Sequence, residues 1–189
     1  MNEGITDDVR KREEDYFRRK DRELLEKMRA AASADQSRRD LGNATGIQDP
    51  SLLQELEELG FTPGTIALLP LVPVLQVAWA EGGVSAAERK MIVDLARQRG
   101  IGVGSAADNR LTELLETRPS DDTFSKASRL IAAMLDHPVA VGPQVSAEEL
   151  IRYCEQIASA SGGLFGIGKV SSEERAALEQ IARGLKTRT

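Results

Sequence analysis

The stretch "VAWAEGGVSAAER", Val77 to Arg89, decides the fold. It ends one apolar run, turns on Gly82 and Gly83, and starts a second run with a helical pattern. Near the other end of the chain, "IASASGGLFGIGKVSSEER" does almost the same over residues 157–175. Because each turn joins two helical patterns, the repetition predicts two related helix pairs within one domain.

The matched polar residues in these turns have a local explanation. Ser85/Glu88 and Ser171/Glu174 both have the Ser-x-x-Glu spacing of a capping box. In that motif the serine oxygen accepts from the third helical amide, and the glutamate accepts from the amide of the serine. Ser146/Glu149 is a third instance. Capping therefore accounts for these residues and leaves Glu81 unexplained.

The remainder of the chain also favours helices. Leu, Ala, Ile and Val recur at helical spacing and no convincing alternating strand is present, so we predict an all-α protein with seven or eight helices. The most apolar segment, Thr65 to Ala80, is shorter than the roughly twenty residues of a membrane span and contains Pro70 and Pro73. It predicts a buried helix marked by proline.

Composition narrows the class of function. Hydrophobic residues make up 41% of the chain and the net charge is −5, which argues against general nucleic-acid binding. The single cysteine, Cys154, forms no internal disulfide and is predicted to be a buried thiol. No signal peptide is visible in the charged N-terminal segment, so we expect a cytoplasmic protein. His137 lacks a catalytic partner, and we expect no enzyme activity.

The pattern divides the chain into three segments. Residues 1–32 predict a charged N-terminal helix, with ion pairs such as Glu14/Arg18 and Glu23/Lys27. Residues 33–50 are polar, contain two glycines, and predict a flexible linker. Residues 51–189 predict the all-helical domain.

The two turns resemble the TerB-like domain of tellurite-resistance and related stress proteins, over roughly residues 60–185. That family is a helical bundle with an internal pseudo-repeat and typically carries Ala-x-Ala-Asp-Gly at each turn. Here Glu81 replaces the first aspartate and Ser161 stands near the second. The resemblance implies a non-enzymatic stress-response or regulatory module that engages a protein partner. It also implies a divalent-cation site, for calcium for example, with Glu81, Glu88 and Glu174 as ligands; ordinary capping is the alternative.

The segment "KREEDYFRRKDRELLEKMR" resembles the inhibitory segment of the mitochondrial F1-ATPase inhibitor protein. That resemblance implies binding to a rotary F-type ATPase, with Tyr16 and Phe17 as apolar anchors and ion pairs from the charged residues beside them. The partner-binding candidates are Glu14, Tyr16, Phe17, Arg18, Arg19 and Leu24. The alternative is a solvated or self-associating helix.

One further contact site is predicted in the second turn. Leu164, Phe165 and Ile167 form a short apolar loop among glycines. These side chains would touch a partner or a membrane surface, or else pack into the helical core. We predict no organic cofactor and no transmembrane segment.

Overall fold

The computed structural model describes residues 3–135, 146–160 and 170–186. This part of the chain is all-α, as predicted, and contains no strand. The α-helices are α1 (Glu3–Thr45), α2 (Pro50–Glu58), α3 (Val72–Ala78), α4 (Ala86–Gln98), α5 (Ala106–Glu116), α6 (Asp121–Leu135), α7 (Ala147–Ala160) and α8 (Ser172–Lys186). A 3-10 helix, Ile66–Leu71, precedes α3.

The chain forms two compact units. The first, Met1–Arg39, consists of most of α1, and the second, Asp40–Thr189, is the helical bundle. In the first unit, every described side chain from Glu13 to Gln36 is exposed. Its helical conformation is favoured locally, since the segment from Val9 to Ala32 lacks Gly and Pro and is rich in strong helix formers.

Helix α3 is the centre of the bundle. It packs against α4, α6, α7 and α8 as well as the 3-10 helix. Six of its seven residues are buried, and Pro73 stands in the first turn, where its missing N–H is tolerated. The predicted buried, proline-marked helix is confirmed. None of the helices in the described ranges combines the length and apolarity needed to cross a membrane.

Glycines end two helices of the bundle as the sequence indicates. Gly60 follows α2 with φ of 78°, and the amide of Phe61 donates to the carbonyl of Leu56 at 2.9 Å. Gly100 follows α4 with φ of 82°, and the amide of Ile101 donates to the carbonyl of Ala96 at 3.0 Å. Both are Schellman-type ends, in which a left-handed glycine lets the following amide satisfy a late helical carbonyl.

The prediction of a flexible linker over residues 33–50 was wrong. Helix α1 continues to Thr45, and Leu41 and Ile47 are buried in the core of the bundle. Gly46, with φ of 74°, ends the helix, and a Cβ on Gly42 would lie 3.1 Å from the carbonyl oxygen of Ile47. These glycines therefore permit a close chain reversal, and the bundle starts about ten residues earlier than predicted.

Candidate functional site

Helix α1 carries an exposed apolar face. We call Tyr16, Phe17, Leu24, Leu25 and Met28 the apolar stripe; they are exposed to 51%, 63%, 57%, 52% and 60%. At 3.6 residues per turn, Phe17, Leu24 and Met28 fall within about 40° of one another, and the other two flank them. Val103 is the only other large apolar residue exposed in the described part of the chain. Exposed apolar surface is thus concentrated on one helix.

The aromatic end of the apolar stripe is locally ordered by its neighbours. The rings of Tyr16 and Phe17 meet edge to face, with centroids 5.9 Å apart. The ammonium group of Lys20 lies 5.8 Å from the centroid of Tyr16, and its Nζ is 3.4 Å from the Oε2 of Glu23. Tyr16 and Phe17 therefore contact each other and Lys20 while remaining exposed to solvent.

The ion pairs of α1 differ from those predicted. Glu14 pairs with Arg10 at 3.6 Å rather than with Arg18, and Glu23 pairs with Lys20 rather than with Lys27. Each residue of a charge-rich helix has partners at i±3 and i±4, so spacing alone does not select between them. Among the described residues, Arg18 and Lys27 are left without an ion pair, and Arg19 has none either.

The capping residues that follow the two turns are placed as predicted. Ser85 donates its amide to Glu88 at 2.7 Å and accepts from the Glu88 amide at 3.2 Å. The same two bonds join Ser171 to Glu174, at 2.8 and 3.1 Å. The capping boxes at the starts of α4 and α8 are therefore confirmed. The predicted box at Ser146/Glu149 is also present, with bonds of 3.4 and 3.1 Å at an exposed position.

Both glutamates of the acidic turns are buried, at 2% exposure for Glu88 and 1% for Glu174. Burial raises the pKa of Glu88 above its ordinary value, and the negative charges of Glu174 and Glu81 add to that effect. The two hydrogen bonds to Ser85 act in the opposite direction. Equivalent turns from the two halves of the bundle thus place their carboxylates within electrostatic range of each other.

The divalent-cation prediction gains no support from this arrangement. No group of three His, Cys, Asp or Glu side chains in the described residues is placed to hold a metal ion. A calcium site needs six to eight converging oxygens. Glu81 is exposed, while Glu88 and Glu174 are engaged with the amides of their capping serines. Glu88 and Glu174 therefore act as helix caps, Glu81 has no capping role, and a joint metal site of the three stays a prediction.

The sequence did not single out Trp79 and Arg89, which connect the first turn to α5. The indole Nε1 of Trp79 donates to the carbonyl of Leu114 at 3.0 Å, and Arg89 donates to the carbonyl of Leu115 at 2.8 Å. These carbonyls lie in the last turn of α5, where no intrahelical amide satisfies them. The sequence signal for Arg89 was the Glu-Arg pair that recurs as Glu88-Arg89 and Glu174-Arg175, although this repeat does not specify which carbonyl accepts from the arginine.

The remaining predictions concern Cys154, the apolar contact loop and His137. Cys154 is fully buried, and burial raises the pKa of its thiol to about 12, so the predicted structural thiol is confirmed. The predicted contact loop of Leu164, Phe165 and Ile167, and also His137, lie outside the described residues.

No protein-family model, no curated protein and no solved structure matches the chain. Function therefore has to be inferred from the surface and chemistry of the molecule itself.

Proposed function

We propose that this chain is a non-enzymatic binding protein of the regulatory or stress-response type, with α1 as its docking element. The supporting observation is the distribution of exposed apolar side chains: five of the six large ones in the described residues form the apolar stripe of α1. Contiguous exposed apolar surface on a soluble domain marks an interaction site. In the described part of the bundle, by contrast, Val103 is the one large apolar residue that is exposed.

The low stability expected of α1 by itself supports a docking role. A charged helix with a narrow apolar stripe gains little stability from burial within its own unit, and isolated helices are marginal in water. Docking the stripe would bury each large side chain, a gain of about 1 kcal/mol or more apiece. The resemblance of the two turns to TerB-like stress proteins supports a regulatory role for the bundle that carries the helix.

Affinity capture from a whole native lysate tests this proposal. The bait proteins are the full chain, a Leu24→Asp variant in the apolar stripe, and an Ala30→Asp variant. Ala30 is exposed about 120° around the helix from Leu24, and both variants make the same charge change. We expect Leu24→Asp to lose the bound material and Ala30→Asp to keep it. Equal retention by both variants would contradict the proposal.

A second candidate function is inhibition of a rotary F-type ATPase through α1. Supporting it, Tyr16 and Phe17 are exposed as an ordered aromatic pair, and the adjacent Arg18 and Arg19 have no ion pair among the described residues. Tyr16, Phe17 and Arg18 belong to the core of the resemblance to the ATPase inhibitor, together with residues 11–14.

ATP hydrolysis by a purified F-type ATPase tests this second candidate. We expect the full chain to slow hydrolysis, and Phe17→Ala to relieve the inhibition by at least about tenfold in affinity if a buried aromatic anchor is lost. Arg22→Ala, outside the resembling core, is the matched control. Unchanged hydrolysis at saturating protein would eliminate this function.

A further inference from the structure

The charges around the apolar stripe follow a definite order. At 3.6 residues per turn, Lys20 and Lys27 lie between Tyr16 and the central line of Phe17, Leu24 and Met28, and they border that line on one side. Arg18, Arg22 and Arg29 lie along the other border. All five side chains are exposed. Residues 16–32 contain six Lys or Arg against three Asp or Glu, a net charge of +3 within a chain whose net charge is −5.

The acidic residues of this segment are placed differently. Glu26 lies on the side of α1 away from the stripe, Glu23 lies at its edge about 20° from Tyr16 and pairs with Lys20, and Asp21 falls within the apolar sector. Of the five border cations, Lys20 alone has an ion pair with a described residue. The other four border cations have no ion pair among the described residues and are spaced two or more residues apart along the helix.

We propose that α1 lies on anionic lipid bilayers, with the apolar stripe inserted at the headgroup level and the border cations among the lipid phosphates. A helix lying flat on a membrane meets headgroups along both of its edges, which is where these cations are. Long Lys and Arg side chains extend toward the headgroups while their stems cover apolar surface. This inference rests on the proposed function of α1 as the docking element and names the surface that it contacts.

The same charge order disfavours a second copy of this chain as the occupant. If two apolar stripes packed together, in either direction, the borders of one helix would meet the equally basic borders of the other. Like charges at close range are destabilising. An acidic groove on a protein remains the competing surface, and the two are separated by Asp21. A protein groove that accommodates this face would supply the Asp21 carboxylate with a hydrogen-bond donor or a cationic side chain, whereas the apolar interior of a bilayer supplies neither.

Co-flotation of the full chain with vesicles tests the proposal. The probes are phosphatidylcholine vesicles with and without about 30% phosphatidylglycerol, at salt concentrations of about 0.05 and about 0.5 M. We expect flotation with the anionic vesicles at low salt, with little flotation on neutral vesicles or at high salt. Flotation that ignores lipid charge, or none on either vesicle, would overturn the proposal.

Matched substitutions locate the contact on the helix. Asp21→Asn and Glu26→Gln make the same charge change on opposite sides of α1, and we expect at least about a fivefold larger gain in vesicle affinity for Asp21→Asn. Arg22→Gln combined with Lys27→Gln should lower affinity by about 30-fold, since each basic residue near an anionic surface contributes about fivefold. Trp79 fluorescence verifies that each variant retains the folded bundle. An equal or smaller gain for Asp21→Asn would overturn the proposal.

The outcome also separates this inference from the proposed function. If the wild-type chain does not float but capture from the soluble lysate still depends on Leu24, the lipid proposal fails and α1 docks on a protein. If neither vesicle binding nor capture depends on Leu24, both proposals fail.

Discussion

The buried capping box at the start of α4 gives a quantitative prediction. Glu88→Ala removes the acceptor that lies 2.7 Å from the Ser85 amide, at a side chain that is 2% exposed. Loss of a helix cap costs about 1 kcal/mol, and loss of a charge-assisted bond costs more, although removing a buried carboxylate recovers part of this. We therefore expect Glu88→Ala to lower the free energy of unfolding by about 1.5 kcal/mol.

The box at the start of α7 is the matched control. There the amide of Ser146 lies 3.4 Å from Glu149, and the bond is exposed. We expect Glu149→Ala to cost only about 0.5 kcal/mol, because water replaces a weak, exposed bond at little cost.

Urea unfolding measured by tryptophan fluorescence provides the assay, since Trp79 is the only tryptophan and lies at the end of α3. In thermal unfolding followed by the same fluorescence, the two free-energy costs correspond to decreases in Tm of roughly 3–6 °C and 1–2 °C for a domain of this size. A cost for Glu149→Ala equal to that for Glu88→Ala would refute the argument that burial strengthens the cap.

Three further predictions concern single positions. Burial raises the pKa of Glu88 in the folded chain above 4.5. Protonation of Glu88 therefore stabilises the folded state below pH 4.5, and this contribution is lost as the pH rises through the folded-state pKa. Glu88→Gln should therefore gain stability relative to wild type between about pH 4 and about pH 7 in urea titrations, and a constant difference would contradict this. Cys154, with its thiol pKa raised to about 12, should not react with a thiol reagent until the chain is unfolded; rapid native labelling would contradict its burial. Gly60→Ala, at φ of 78°, should lower the free energy of unfolding by about 1–2 kcal/mol. Gly83→Ala, with no heavy atom within 4 Å of the added Cβ, should lower it by less than about 0.5 kcal/mol in the same assay. Equal decreases would contradict the requirement for a left-handed conformation at Gly60.

Local signals in the sequence predicted local structure well. The Ser-x-x-Glu spacing at Ser85 and Ser171 predicted both capping boxes, because the motif is closed within four residues and needs no tertiary information. The burial of α3 followed from its continuous apolar composition. The helical class was equally accessible, since it depends on periodicity over many residues.

Features that depend on tertiary contacts were not predictable in this way. Gly42 and Gly46 suggested flexibility, but the close approach of Gly42 to the Ile47 carbonyl is a property of the folded chain. The burial of Glu88 beside Glu174 likewise requires the two halves of the bundle to meet. On α1, by contrast, both the apolar residues and the cations beside them follow from the sequence and the helical period.

Site-specific photocrosslinking in cells tests the central claim, that the apolar stripe is the docking face of α1, most directly. A benzophenone amino acid replaces Phe17 in the stripe or Arg19 on the opposite side of the same turn, and it reacts with C–H bonds of lipid and protein alike. We predict adducts for Phe17→p-benzoylphenylalanine and few or none for Arg19→p-benzoylphenylalanine. Equal yields at the two positions, or adducts at position 19 alone, would contradict the account.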